Sequence, residues 1–153
     1  MKYIHFIVNP ISGKGKHKIR KEDLEAFFPS NEYKIVVDYS EYKKHAIELT
    51  KNAVAKNPEM IVACGGDGTI HEVASGLVNT SIALGILPVG SGNGLASNLS
   101  IPKDFEKAIR IIKQGNESAI DVGSINNHYF FSNMGLGIDA LIIKKYENMR
   151  TRN

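Results

Sequence analysis

The chain has 153 residues, of which 42% are hydrophobic and 23% charged, the composition of an ordinary globular protein. Its formal net charge of +3, from 19 basic and 16 acidic residues, is too small to indicate a DNA- or RNA-binding protein. The single cysteine excludes an internal disulfide, and no apolar run approaches the roughly 20 residues that span a bilayer, so we expect a cytoplasmic protein with no transmembrane segment.

Short β-branched runs alternate with helical patterns along the first 120 residues. We predict strands at 3–8, 33–39, 60–64 and 83–89, and helices at 18–28, 42–56, 69–78, 95–99 and 105–114. Ser40 is expected to cap the second helix, and Asp104 and Gly115 to bound the last one. Regular alternation of strand and helix predicts an α/β fold whose mainly parallel sheet carries helices on both faces.

The pattern changes after Ile120. Two short strands at 121–125 and 128–132 flank Asn126-Asn127, which predicts a β-hairpin. A basic amphipathic tail at 140–153 then ends without a helix-terminating signal, as if an element to pack against were missing. We therefore predict one domain at 1–120 and the start of a truncated second domain at 121–153.

Four polar segments directly follow the predicted strands: 9–15, Ser40, 65–69 and 90–94. Ligands of an open parallel sheet bind beyond the carboxyl ends of its strands. All four segments should therefore open on the same crevice.

The segment Gly65-Gly66-Asp67-Gly68-Thr69 places glycines where a strand turns into a helix. Glycine can take up positive φ and lets the backbone approach a phosphate, which the helix start then attracts. Asp67 would repel that phosphate unless Mg²⁺ lies between them, or it could accept the proton of an attacking hydroxyl. The alternative is a tight turn in which Asp67 only caps the helix.

Other polar residues allow two interpretations each. The loop Gly90-Ser91-Gly92-Asn93 could hold phosphate oxygens or be an ordinary glycine loop, and Lys14 could reach a phosphate or belong to a solvated lysine run. Asp121 could open a strand or supply a second carboxylate near a metal. His45 and His71 have no ligand partner at fitting spacing, so we expect structural or surface roles for them.

Taken together, these segments resemble the successive motifs of the diacylglycerol kinase catalytic domain. The matching motifs are Asn9-Pro10-x-Ser12-Gly13, Gly65-Gly66-Asp67-Gly68-Thr69, Pro88-x-Gly90-Ser91-Gly92-Asn93 and Asp121-x-Gly123. That family includes bacterial diacylglycerol kinases and sphingosine and ceramide kinases. The Gly-Gly-Asp-Gly segment alone also resembles NAD kinases and phosphofructokinases, whereas the third motif points to lipid kinases.

The resemblance implies a three-layer, Rossmann-like nucleotide-binding domain like that of NAD kinase, with a second, β-rich domain mostly absent from this chain. It implies transfer of the γ-phosphate of ATP to a lipid hydroxyl at the membrane surface, with ATP and Mg²⁺ as cofactors. By similarity, Asp67 would be the catalytic residue, tied to Mg²⁺ or to activation of the hydroxyl, and Asp139 would recognise the lipid head; Asp121 stays the candidate for a second metal ligand. By similarity, the nucleotide would contact Asn9, Pro10, Ser12, Gly13, Lys14, Ser40, Gly65, Gly66, Asp67, Gly68, Thr69, Glu72, Gly90, Ser91, Gly92 and Asn93.

Two departures limit what the resemblance implies. Gly94 stands where many diacylglycerol kinases have Asp and is more like sphingosine kinases, so the lipid, diacylglycerol or a sphingoid base, stays open. The family's catalytic base and structural Mg²⁺ site lie in the second domain, so we expect this chain alone to be inactive. An NAD kinase-like enzyme and a non-catalytic nucleotide-binding fragment are the alternatives. We expect no nucleic-acid partner, and a homodimer is left open.

Overall fold

The central element is a four-stranded parallel sheet in the computed structural model, which describes residues 1–15 and 18–132. The strands are β1 (Lys2–Val8), β2 (Tyr33–Tyr39), β3 (Met60–Gly65) and β4 (Ala83–Pro88), in the order β2-β1-β3-β4. Phe6 of β1 lies opposite Val37 on one side and Val62 on the other. Since all four strands run in one direction, their carboxyl ends share one edge of the sheet.

Five α-helices cover the two faces of the sheet. They are α1 (Lys21–Glu25), α2 (His45–Val54), α3 (Asp67–Leu77), α4 (Gly94–Asn98) and α5 (Phe105–Gln114). On one face, Phe6 packs in a cluster with residues of α1 and α5, such as Leu24 and Ile109. On the other face, Ile7 packs with residues of α2, α3 and α4, such as Val73. The predicted three-layer α/β fold is confirmed.

Two predicted helix starts are wrong. The helix expected at 18–28 is only α1, because Asp23 accepts a hydrogen bond from the backbone N–H of Arg20 at 3.1 Å and so fixes the start of the helix. Ser40 does not cap α2, because the helix begins only at His45; the N–H of Ser40 instead donates to the Val8 carbonyl at 2.8 Å and extends the sheet. A left-handed residue, Lys44 (φ 69°), precedes α2 instead.

The last helix and the hairpin follow the sequence prediction more closely. Asp104 caps α5 by accepting the N–H of Lys107 at 2.9 Å, and Gly115 ends it with φ 65°. Strands β5 (Gly123–Ile125) and β6 (His128–Phe130) pair antiparallel, and both residues of the Asn126-Asn127 turn have positive φ. The tail predicted at 140–153 lies outside the described residues. Within the described part of the chain, no helix has the length and apolar character needed to cross a bilayer.

A polar group lies inside the sheet at His5, whose side chain is fully buried. Its Nε2 lies 2.8 Å from Asp38 Oδ2, and its Nδ1 lies 3.1 Å from the Tyr3 hydroxyl. Burial lowers the pKa of His5 and outweighs the opposite effect of Asp38. The geometry therefore fits a neutral imidazole that donates from Nε2 and accepts at Nδ1.

Strand β4 forms an edge of the sheet, because among the described residues it pairs with β3 alone. A cavity of about 740 Å³ runs beside this edge, with Leu84, Ile86, Ile111 and Ile120 among its apolar walls. No residue of the two glycine loops lines this cavity. It is therefore separate from the carboxyl edge where the candidate site lies.

Candidate active site

The segments after β1 and β3 are joined by hydrogen bonds. The N–H of Asn9 donates to the Cys64 carbonyl at 2.9 Å, and its side-chain Nδ2 donates to Thr69 Oγ1 at 3.0 Å. The N–H of Gly66 donates to Ser12 Oγ at 3.3 Å. Asn9 and Ser12 therefore hold the first segment against the turn that begins α3.

The glycine loops after β3 and β4 contact each other through their backbones. A Cβ atom added to Gly90 would lie 2.3 Å from the Cα of Gly66, far closer than real Cβ contacts. A Cβ on Gly65 would meet the side chain of Thr69 at 2.4 Å. None of these three glycines has positive φ, which only Gly13 among the predicted site glycines adopts, at 63°. At these three positions glycine is required because neighbouring atoms leave no room for a Cβ, and not because the backbone is left-handed as expected.

Asp67 connects the two loops. As the first residue of α3, it accepts the N–H of Asn93 on Oδ2 at 2.7 Å and the N–H of Gly94 on Oδ1 at 2.5 Å. These donors begin α4, so the carboxylate caps α4 and not its own helix. A Cβ on Gly92 would lie 2.5 Å from Oδ2, so the loop passes too close to Asp67 for a side chain there.

Asn93 closes the second loop from inside. It is 1% exposed and has φ 64°. Its Oδ1 accepts the N–H of Gly90 at 3.1 Å, and its Nδ2 donates to the Gly90 carbonyl at 2.7 Å. Because these bonds satisfy the buried amide, the side chain shapes the loop, and the exposed tip consists of Ser91 and Gly92.

Comparison with known proteins identifies the family. The model of the diacylglycerol kinase catalytic domain matches residues 3–125. The chain belongs to this family. It is 34% identical over 140 residues to a diacylglycerol kinase of Bacillus subtilis, covering 90% of this chain and 46% of that protein. It is 33% identical over 129 residues to a Klebsiella pneumoniae protein named probable lipid kinase YegS-like, covering 83% of this chain and 43% of the relative.

Solved structures give the same result. The crystal structure of a diacylglycerol kinase from Bacillus anthracis matches with a TM-score of 0.68 and 28% identity, over 84% of this chain and 49% of that chain. This chain thus spans less than half the length of the relatives it matches. The similarity to these kinases confirms the α/β fold and the family resemblance stated from the motifs.

Not all residues predicted from the family motifs meet at the joined loops. The hydroxyl of Ser40 and the carboxylates of Glu72 and Asp121 make no hydrogen bond or ion pair with any described residue. Asp121 is exposed in the segment between α5 and β5. The side chain of Lys14 and the whole of Asp139 lie outside what the structure describes.

One carboxylate at the joined loops, that of Asp67, could bind a Mg²⁺ ion. Mg²⁺ is commonly held by one or two carboxylates together with substrate phosphates and water. Asp67 is exposed, and its oxygens keep acceptor capacity beyond the two N–H groups. In the described part of the chain, no three His, Cys, Asp or Glu residues group as a metal site. The residues therefore fit a metal shared with bound phosphates, not one enclosed by protein ligands.

Two residues near Asp67 did not emerge from the sequence as site candidates. His71 lies one helical turn after Asp67 on α3, and its ring contacts that of Phe131 at a centroid distance of 5.6 Å. Both line a cavity of about 500 Å³ that also reaches Asp67. The spacing of four residues between Asp67 and His71 could have indicated that both side chains lie on one face of the helix. The contact of His71 with Phe131 joins residues far apart in the sequence, so spacing could not predict it.

Proposed function

We propose that this chain is the ATP-binding part of a lipid kinase that transfers the γ-phosphoryl group of ATP to a lipid hydroxyl. The observation that carries the proposal is the junction of two glycine loops at the carboxyl edge of the sheet, with Asp67 between them. Parallel sheets bind ligands at this edge, and phosphoryl transfer relies on positioning and charge stabilisation. The kinase names of the relatives support the same activity.

The exposed parts of the two loops are the proposed contacts for the phosphates. Gly68, Ser91 and Gly92 are exposed, and their backbones offer N–H groups without a bulky side chain in front of them. Asn93 would act by holding the loop, because its side chain is buried and satisfied. Contacts of Lys14 with the nucleotide stay a prediction from the family motif.

In the proposed reaction, the oxygen of the lipid hydroxyl attacks the γ-phosphorus in line with the bridging oxygen of ATP. The bond to that bridging oxygen breaks, ADP leaves, and the hydroxyl proton passes to a carboxylate. Asp67 is the candidate for this carboxylate among the described residues, since it lies exposed between the loops. Alternatively, Asp67 would hold the Mg²⁺ that neutralises charge on the phosphates, and the proton would pass to a carboxylate of the second domain.

The lipid would be a diacylglycerol or a sphingoid base, met at the membrane surface from the cytoplasmic side. Lipid recognition by Asp139, a second metal ligand at Asp121 and a homodimer stay predictions.

The decisive experiment measures transfer of labelled γ-phosphate from ATP to diacylglycerol, sphingosine, ceramide and NAD. It uses this chain and the product of the full reading frame that contains it. Label on one lipid from the longer protein supports the proposal and identifies the substrate. Label on NAD would point to an NAD kinase-like enzyme, and nucleotide binding without transfer by either protein would indicate a non-catalytic module.

Two substitutions then separate the roles of the carboxylates in the longer protein. Asp67→Asn should lower kcat by about 10²- to 10⁴-fold, the usual contribution of a positioned acid or base. Asp121→Asn should cause a similar loss if this carboxylate holds the metal and no loss if it only opens a strand. If a folded Asp67→Asn protein transfers phosphate at a near-normal rate, the role proposed for Asp67 is wrong.

A further inference from the structure

An apolar cavity opens beside Asp67 and adjoins the second glycine loop, whose Gly92 and Gly94 also line it. Its volume of about 500 Å³ lies within the usual range of roughly 300–1,000 Å³ for small-molecule pockets. Ile70 of α3, Leu95 of α4, and Phe130 and Phe131 at the end of the hairpin form its apolar walls. Asp67 lies at one side, so the cavity joins an apolar interior to a carboxylate.

His71 provides a second polar group in the cavity. It lies one turn beyond Asp67 on α3, which puts both side chains on the same face of the helix. Its ring meets Phe131 edge-on, with an interplanar angle of 70°, and makes no hydrogen bond with any described residue. Both ring nitrogens are thus available to a ligand that enters beside Asp67.

The hairpin side of the cavity is tied to the rest of the domain. Asn98 at the end of α4 donates a hydrogen bond from Nδ2 to Ser132 Oγ at 2.7 Å. This bond holds the residue next to Phe131 against α4. The aromatic wall is therefore anchored on the same short helix whose first N–H groups bind Asp67.

The chemistry of the walls favours the phosphoryl acceptor over the nucleotide phosphates. Among the described residues that line the cavity there is no Lys or Arg, and only Gly92 belongs to the proposed phosphate contacts, so most of the wall offers a polyphosphate neither a cation nor a free N–H donor. Aliphatic and aromatic walls suit a hydrocarbon segment. A hydroxyl at the polar end would come within reach of both Asp67 and His71.

We propose that this cavity binds the hydrocarbon next to the reacting hydroxyl of a lipid alcohol, and that His71 positions that hydroxyl toward Asp67. The proposal rests on the lipid kinase function proposed above. It assigns to His71 a positioning role through one hydrogen bond and to Phe131 a wall of the acceptor site. ATP would be held by the loops and would depend on neither residue.

The test compares His71→Ala, His71→Asn and Phe131→Ala in the full-length enzyme, with His128→Ala as the matched control. His128 is an exposed histidine of β6 that does not line the cavity. Initial rates at varied acceptor and varied ATP give KM for each substrate and kcat, and circular dichroism checks folding. The acceptors are a short-chain diacylglycerol and sphingosine in mixed micelles.

We expect His71→Ala and Phe131→Ala to raise the acceptor KM by about two- to tenfold, the worth of one hydrogen bond or a modest apolar contact. The KM for ATP should stay unchanged, His71→Asn should recover part of the loss, and His128→Ala should match the unaltered enzyme. An unchanged acceptor KM in both variants would overturn the assignment while leaving lipid phosphorylation intact. If only the KM for ATP rises, the cavity binds the adenine base of ATP and the assignment to the acceptor is wrong. An unaltered enzyme that phosphorylates no lipid would refute the proposed function itself.

Discussion

The contact between the glycine loops predicts opposite effects of alanine at two glycines, Gly90 of the second loop and Gly68 of the first. Gly90→Ala would place a Cβ 2.3 Å from Gly66 Cα and 2.8 Å from Asn93 Oδ1. The two backbones must then separate by about 1 Å to reach ordinary van der Waals contact. Such overpacking costs about 1–3 kcal/mol, and weakening the bond from the Gly90 N–H to Asn93 adds about 1 kcal/mol.

Gly68→Ala is the matched control. Gly68 lies in the first turn of α3, and nothing lies within 4 Å of a Cβ added there. Replacing glycine by alanine in a helix should stabilise the protein by about 0.5–1 kcal/mol. The same chemical change should therefore lower the free energy of unfolding at position 90 and raise it at position 68.

Urea unfolding measures both effects. The chain has no tryptophan, so far-UV circular dichroism at low protein concentration is the appropriate signal. With a urea m-value of about 2 kcal/mol/M, a loss of about 2–4 kcal/mol should lower the midpoint by about 1–2 M for Gly90→Ala. A midpoint within about 0.2 M of the unaltered chain would show that the two backbones are not in contact. If Gly68 also faces a phosphate, its alanine variant should bind nucleotide more weakly despite its greater stability.

Two further predictions concern buried titratable groups. Because burial lowers the folded-state pKa of His5, unfolded chains bind its proton more readily, so this contribution to stability is complete above pH 6.5 and is lost as pH falls through the folded pKa. Urea unfolding between pH 7.5 and 5 should show this decline, and an equal decline in His5→Asn would contradict the assignment. Cys64 is fully buried, and burial raises the pKa of its thiol, so it should resist Ellman's reagent in the native protein and react once urea unfolds the chain. Rapid native labelling would mean that β3 is accessible beneath the glycine loop.

The layers of the fold could be predicted because they depend on local pattern. The unbroken apolar run of β3 and the regular alternation of strand and helix lead directly to a buried parallel sheet. The position of the polar segments at strand ends then predicts that they meet, and for the segments after β1, β3 and β4 they do. Ser40 is not a helix cap because α2 begins later, at His45, whereas the backbone of Ser40 still pairs with β1.

The internal arrangement of the site could not be predicted from spacing. The sequence predicts Asp67 as a metal ligand, a base or a cap of its own helix; the cap prediction is wrong, because the carboxylate caps α4, and the other two roles stay predictions. The sequence does not reveal that the side chain of Asn93 lies buried beneath the loop, and its contact with the nucleotide stays a prediction. The cap of α4 by Asp67 and the burial of Asn93 both require the two loops to approach closely at the sheet edge. In the sequence, only the absence of side chains at Gly66 and Gly90 indicates that approach.

The edge of β4 favours self-association of this chain. In the described residues its outer side is paired with no strand, and the apolar cavity beside it includes Leu84 and Ile86. An open strand edge next to apolar side chains is a template on which a second copy can add its own strand. Concentrated preparations of the chain should therefore tend to form polymers.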